Sequence, residues 1–201
     1  MTIDKKYVDQ IINVTSKAAI ASSHLLGKQD KIKADQAAVD AMRTELNKID
    51  MTGEIVIGEG SLDDAPMLFN GEILGKKIGP KFDIAVDPLE GTNFAANNLP
   101  GAMSVIAIAE KGNLLKAPET YMHKIATAKI EKGLIDLDYS IKKNIENLAE
   151  SRNTTPSNLT ACLLDRPRHK KIIDDLSALK VKTKLITDGD VAGALLVDRR
   201  G

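Results

Sequence analysis

Tryptophan is absent from this 201-residue chain, and phenylalanine and tyrosine, three of each, leave aromatics at only 3%. Charge of one sign is lacking too: 28 acidic and 28 basic side chains cancel, with no basic block and no basic patch interleaved with aromatics. That pattern gives no footing for nucleic-acid binding or for an electrostatic membrane tether. No run approaches the roughly 18 to 20 apolar residues of a membrane span. The amino terminus has no apolar core with a cleavage site, so it is expected to be an amphipathic helix with Val8, Ile11, Ile12, Ala18, Ala19, Leu25 and Leu26 on its apolar face. The lone Cys162, in LTACLLD, excludes an internal disulfide; it is expected to be a small core residue in a reduced, cytoplasmic setting. His24, His123 and His169 lie too far apart for metal-type spacing, although His169 stands beside Arg168, where a phosphate could be touched.

The chain does have acidic residues at the ends of apolar runs. In FDIAVDPLEGT (82–92) the apolar centre reads as a buried strand, and Asp87 and Glu90 follow it, with Gly91 and Thr92 next. Hard cations such as Mg²⁺ and Mn²⁺ prefer oxygen ligands held on a stiff turn, and Pro88 stiffens this one. Gly91 lets the backbone approach a ligand, and the Thr92 hydroxyl can orient a water or meet a phosphoryl oxygen. An isolated D-x-x-E is more often a charged turn; the whole segment on an apolar strand is more specific. EIVIGE (54–59) is a second short strand ending in a carboxylate between two glycines, which makes Glu59 a candidate ligand or base. Asp35 opens a helix whose apolar face is Ala38, Val39, Met42 and Leu46; taken alone, it reads as charge stabilisation of a helix start.

Helices are expected over about 4–26 and 32–49, then strands near 54–58, 82–87 and 104–110, an order that argues for an α+β layer rather than a βαβ array. A helix near 140–151, capped by Ser140 and facing inward with Ile141, Ile145 and Leu148, precedes RNTTPSN. That turn-rich stretch marks the expected boundary: an α+β metal-binding domain over 1–152, a linker over 153–158 and a partial α/β substrate domain over 159–201. In the last, strand 159–164, helix 169–179 and strand 181–186 form a parallel β-α-β unit. Its strand ends carry Arg166, Pro167, Arg168, Asp188, Gly189 and Asp190, where open α/β sheets bind ligands.

With KADQAAVDAMR (33–43), IVIGEGSLDDAPML (55–68), DIAVDPLEGT (83–92), APETYMHK (117–124), RPRH (166–169) and DGDVAGALL (188–196), the chain resembles the bacterial class II fructose-1,6-bisphosphatases of the lithium-sensitive, metal-dependent phosphatase superfamily. The resemblance implies a layered sugar-phosphatase fold of the inositol monophosphatase and fructose-bisphosphatase kind, with Mn²⁺ or Mg²⁺ as cofactor. It implies Asp35, Glu59, Asp87 and Glu90 as metal ligands, and Asp63 near the reacting water. Glu90, Gly91 and Thr92 would meet the scissile phosphate. Tyr121, the Arg166–Pro167–Arg168 turn and Asp188–Gly189–Asp190 would hold the rest of a sugar bisphosphate.

The implied reaction is hydrolysis of fructose 1,6-bisphosphate to fructose 6-phosphate and phosphate, in gluconeogenesis and glycerol metabolism, with Thr92 and Glu59 or Asp63 aligning the water. Alternatives kept open are sedoheptulose 1,7-bisphosphate or an inositol phosphate as substrate, and a catalytically silent remnant or half-subunit. The family's glycine-rich GGAPEG-type segment, with a further metal-ligating glutamate, has no match here, so a truncated second domain is expected. A sheet so cut needs cover, hence an expected homo-oligomer or association with a complementary chain.

Overall fold

The computed structural model describes residues 3–60, 67–118, 120–128 and 130–198. Contacts divide the chain into two units, Met1–Thr120 and Tyr121–Gly201.

In the first unit, α1 (Lys5–Ser23) starts at Asp4, which accepts the Lys6 N–H, and α2 (Lys31–Leu46) starts at Asp30, which accepts the Lys33 N–H. The buried stripe of α1 is Tyr7, Ile11, Val14, Ala18 and Ser22, and that of α2 is Ala34, Ala38, Val39, Met42 and Leu46. Ala18, Ala34 and Ala38 are fully buried, so the two helices approach closely without a large side chain between them. Val8 and Ile12, expected on the buried face of α1, are 43% and 56% exposed. Tyr7 turns the helix instead: its ring meets Phe82 edge-on at 5.1 Å and its hydroxyl donates to the Asp50 carbonyl. In a chain poor in aromatics, that pair fixes which face of α1 lies on the sheet.

The sheet beneath has the order β2-β1-β3-β4, from β1 (Thr52–Ile57), β2 (Ile73–Leu74), β3 (Lys81–Glu90) and β4 (Met103–Glu110). β1 and β3 run parallel, and the two outer pairings are antiparallel. Among the described residues, the link between β1 and β3 contains the short strand β2 and no helix, in keeping with the α+β layer expected. Phe82, Ile84 and Val86 enter the core with the two helices, joined from β4 by Ile106 and Ile108, while Asp83, Ala85 and Asp87 alternate onto the other face. Asp83 is fully buried there; burial opposes its charge, but the Lys111 ammonium at 3.0 Å and the Gly112 and Leu114 amides outweigh it and hold the carboxyl below its usual range.

The second unit contains α4 (Ile141–Ser151), β5 (Thr160–Leu164), α5 (Lys170–Ala178), β6 (Lys182–Ile186) and α6 (Asp190–Leu195). Ser140 caps α4 by accepting the Lys143 N–H, and β5 pairs in parallel with β6, as the sequence implies. Ile141, Ile145 and Leu148 pack on a core of Ala149, Leu159, Leu176 and Val181. Because α4 packs with α5 around that core, the expected linker at 153–158 falls inside this unit, and the contact boundary lies at Thr120 and Tyr121 instead. Among the described residues, no helix is long and apolar enough to cross a membrane.

Candidate active site

Asp87 and Glu90 both belong to β3, which continues past the expected end at 87. In a regular strand, residues three apart point to opposite faces. Here Asp87 pairs with Val105 and Glu90 with Met103, so β3 holds one residue more than β4 across this stretch. The resulting bulge at Pro88 and Leu89 resets the alternation and turns Glu90 toward the Asp87 carboxyl. Pro88, which has no N–H to offer the ladder, is fully buried in the bulge. Gly91 follows at φ 81° and caps α3 (Thr92–Ala96). A Cβ there would stand 2.9 Å from the Phe94 ring, so the glycine is needed by the backbone itself and not only for room near a ligand. Thr92, half-buried, is the first residue of α3.

Glu59 comes to the same end of the sheet because β1 runs parallel to β3. Asp35 arrives from the start of α2: the Gly27 and Gln29 amides, in the loop between α1 and α2, donate to the Ala95 and Ala96 carbonyls of α3. Asp30 is the cap of that helix, and Asp35 sits one turn further in, half-buried, its carboxyl raised by burial; the reading of Asp35 as a helix-start charge is therefore corrected. Burial, then the charge of Asp35, pushes Glu59 up to about 7. Asp87 is pushed to about 8 by burial first, then by the Glu90 carboxyl, then by the charges of Glu59 and Asp35. The four carboxylates thus share one field of mutual repulsion that a cation would relieve.

All four are hard oxygen donors, the kind that Mg²⁺ and Mn²⁺ take. Among the described residues, no three acidic, histidine or cysteine side chains form a ready metal cage. Mg²⁺-type sites do not require one, since such ions commonly use one or two carboxylates together with water and substrate phosphate. Asp63 lies outside the described residues.

In the second unit the parallel strands bring two segments together. The Asp165 N–H donates to the Ile186 carbonyl, and the Arg166 guanidinium donates to the Thr187 carbonyl at 2.6 Å, tying the end of β5 to the residues leading to Asp188. Pro167 opens a 3₁₀ turn through His169, whose Nδ1 lies 2.8 Å from the Leu164 carbonyl, so the turn is closed upon itself. Gly189, at φ 75°, caps α6, and the Asp190 carboxylate lies 3.9 Å from Lys124. Tyr121 is 82% exposed, with the Arg168 guanidinium 4.2 Å from its ring centroid, so these two residues also meet.

Sequence reasoning passed over Glu72 and Asn70, which frame Glu59. Asn70–Gly71 was a visible hairpin signal, although which strand it turned was not.

Residues 5–201 match the family model described as bacterial fructose-1,6-bisphosphatase, glpX-encoded. The chain is 45% identical over 193 residues to a D-fructose 1,6-bisphosphatase class 2/sedoheptulose 1,7-bisphosphatase of Prochlorococcus marinus (strain MIT 9303), covering 96% of this chain and 58% of the relative. It is 46% identical over 205 residues to a protein of the same name from Synechococcus sp. (strain JA-3-3Ab), covering 96% and 59%. It is 44% identical over 198 residues to another from Synechococcus elongatus (strain ATCC 33912 / PCC 7942 / FACHB-805), covering 92% and 57%. The chain therefore spans less than two thirds of the length of the curated relatives it matches. A bulge that turns Glu90 toward Asp87, acidic side chains from α2, β1 and β3 at one end of the sheet and a match over nearly the whole chain converge: this chain belongs to the glpX-encoded bacterial fructose-1,6-bisphosphatase family.

Proposed function

We propose that this polypeptide serves metal-dependent hydrolysis of fructose 1,6-bisphosphate to fructose 6-phosphate and phosphate, with Mn²⁺ or Mg²⁺ as the cation. The observation that carries this reading is the crowding at Asp87, pushed to about 8 by burial and by Glu90, Glu59 and Asp35. Such a group is badly placed for a metal-free role and well placed to bind a cation. Asp35, Glu59, Asp87 and Glu90 would hold it; the cation would polarise phosphoryl oxygens and lower the pKa of a bound water. Glu59 is suited to take the proton of the attacking water, and Thr92 to orient that water. Arg168, held against Tyr121, offers planar donors to a phosphate oxygen, and Asp188 and Asp190 suit sugar hydroxyls.

A second substrate has support from the relatives, whose names include sedoheptulose 1,7-bisphosphatase; both sugars carry a phosphate at each end. Phosphate release from each bisphosphate, with Mn²⁺ present, tests the reading. Release that is lost in Asp87→Ala supports it. A folded chain in which Asp87→Ala releases phosphate as fast as the parent contradicts it.

A further inference from the structure

Glu72 is a buried carboxylate that this chemistry does not use, only 7% exposed at the turn leading into β2. Burying a carboxylate is costly unless it is paired and hydrogen-bonded, and a two-residue hairpin strand needs no charge at its start. Glu72 has two partners. It accepts the Leu68 N–H with one oxygen and the Arg43 Nε–H, at 2.7 Å, with the other. Leu68 is a fully buried leucine at φ 57°, a left-handed conformation that an L side chain rarely adopts, and the Glu72 carboxylate fixes the amide of that turn. With Leu68 so turned, its carbonyl accepts the Glu59 N–H at 3.0 Å.

The neighbouring residues repeat the pattern. The Asn70 side-chain oxygen accepts the Gly58 N–H at 2.8 Å, and the Asn70 N–H donates to the Gly60 carbonyl at 2.9 Å. A Cβ at residue 58 would come within 2.1 Å of the Leu68 carbonyl oxygen, so Gly58 permits the close contact. Residues 58, 59 and 60 are therefore each hydrogen-bonded to the 68–70 segment. Arg43 lies on α2 eight residues after Asp35, about 12 Å along the helix axis. The Arg43–Glu72 ion pair thus joins the helix that carries Asp35 to the loop that frames Glu59.

We propose that Glu72 and Asn70 are positioning residues for cation binding: Glu72, braced by Arg43 and acting through Leu68, and Asn70, acting through Gly58 and Gly60, fix the Glu59 backbone relative to Asp35. The proposal rests on the reading of Glu59 as a cation ligand. A partner outside the ligand set that orients a ligand typically changes metal affinity by about 10-fold or more.

The test is the Mn²⁺ dissociation constant of the full chain by calorimetry, with the thermal midpoint of the metal-free protein measured beside it. Glu72→Ala is expected to weaken Mn²⁺ binding about 10-fold, and Glu72→Gln, whose amide oxygen can accept the Leu68 N–H while its NH₂ faces Arg43, to restore part of that. Asn70→Ala, on the exposed surface, is expected to weaken binding severalfold with the thermal midpoint little changed, which keeps the test open should Glu72→Ala not fold. In a Glu59→Gln background, Glu72→Ala should add less than about a further 2-fold, because both act on one ligand. A role confined to stability would lower the thermal midpoint and leave the dissociation constant alone. Parental affinity in Glu72→Ala and Asn70→Ala, with Glu59→Gln weakened, overturns the positioning role only. No Mn²⁺ binding by the parent, or parental affinity in Glu59→Gln, overturns the cation-site reading and this role with it.

Discussion

The turns after β3 and β6 are assembled from the same parts: a strand end, carboxylates, a glycine in the left-handed region and a short helix. They differ in what surrounds them. β3 lies between β1 and β4, and its carboxylates are half-buried beside Glu59 and Asp35. β6 has only β5 beside it among the described residues, and Asp190 is 57% exposed with Lys124 nearby. The composition follows the same line: residues 1–120 carry 17 acidic and 13 basic side chains, and residues 121–201 carry 11 and 15. One local device therefore yields two chemistries. Under the proposed function, the crowded, half-buried turn would hold a cation, and the exposed one would meet sugar hydroxyls.

Breaking each turn in the same way should give unequal results. Asp87→Ala is expected to lower phosphate release from fructose 1,6-bisphosphate by on the order of 10³-fold, through loss of a group that stabilises developing charge. Asp190→Ala, removing one exposed contact, should cost kcat/KM about 10-fold, or roughly 1.4 kcal/mol. Equal losses would remove the distinction between the turns.

The cores beneath the turns should differ next. Ile84→Ala, at a fully buried position in the larger core, is expected to destabilise by about 3 to 4 kcal/mol in denaturant unfolding, and Leu176→Ala, in the smaller core, by about 2 to 3. Gly91→Ala meets both a left-handed φ and the Phe94 ring and should cost about 2 kcal/mol, while Gly189→Ala meets the φ penalty of about 1 kcal/mol.

The smallest effect is a slope with pH. The raised carboxyls of Asp87 and Glu59 keep their protons in the folded metal-free chain, while the unfolded chain releases them from about pH 4. Between about pH 4 and 8 the folded state binds more protons, so stability falls as pH rises and levels off once the folded carboxyls ionise. The thermal midpoint of the metal-free protein should therefore drop by several degrees from pH 5 to pH 8, and Asp87→Asn should flatten that drop.

Much of this was legible in the sequence. Alternating and helical patterns placed both amino-terminal helices, the β1, β3 and β4 strands, the Ser140 cap and the parallel β5–β6 pair, because each is decided by residues close in sequence. The acidic positions were legible as well, each following an apolar run. The bulge at Pro88 was not, since it exists only against the register of β4. The brace through Glu72 joins residues 29 apart along the chain and rests on a left-handed leucine that no propensity announces. RNTTPSN is a true turn, but the division by contacts lies at Thr120 and Tyr121, since whether a turn separates units depends on what the helix before it packs against, and α4 packs with α5.

Under the proposed function, the protons that burial and crowding favour on Asp87 and Glu59 would leave when a cation binds. This exchange is tested most directly by titrating Mn²⁺ into the metal-free chain at pH 7 in buffers of different ionisation enthalpy, which counts protons released per ion. Release of at least about one proton per cation is expected, falling by most of that in Asp87→Asn. Binding without proton release, or release unchanged in Asp87→Asn, would contradict it.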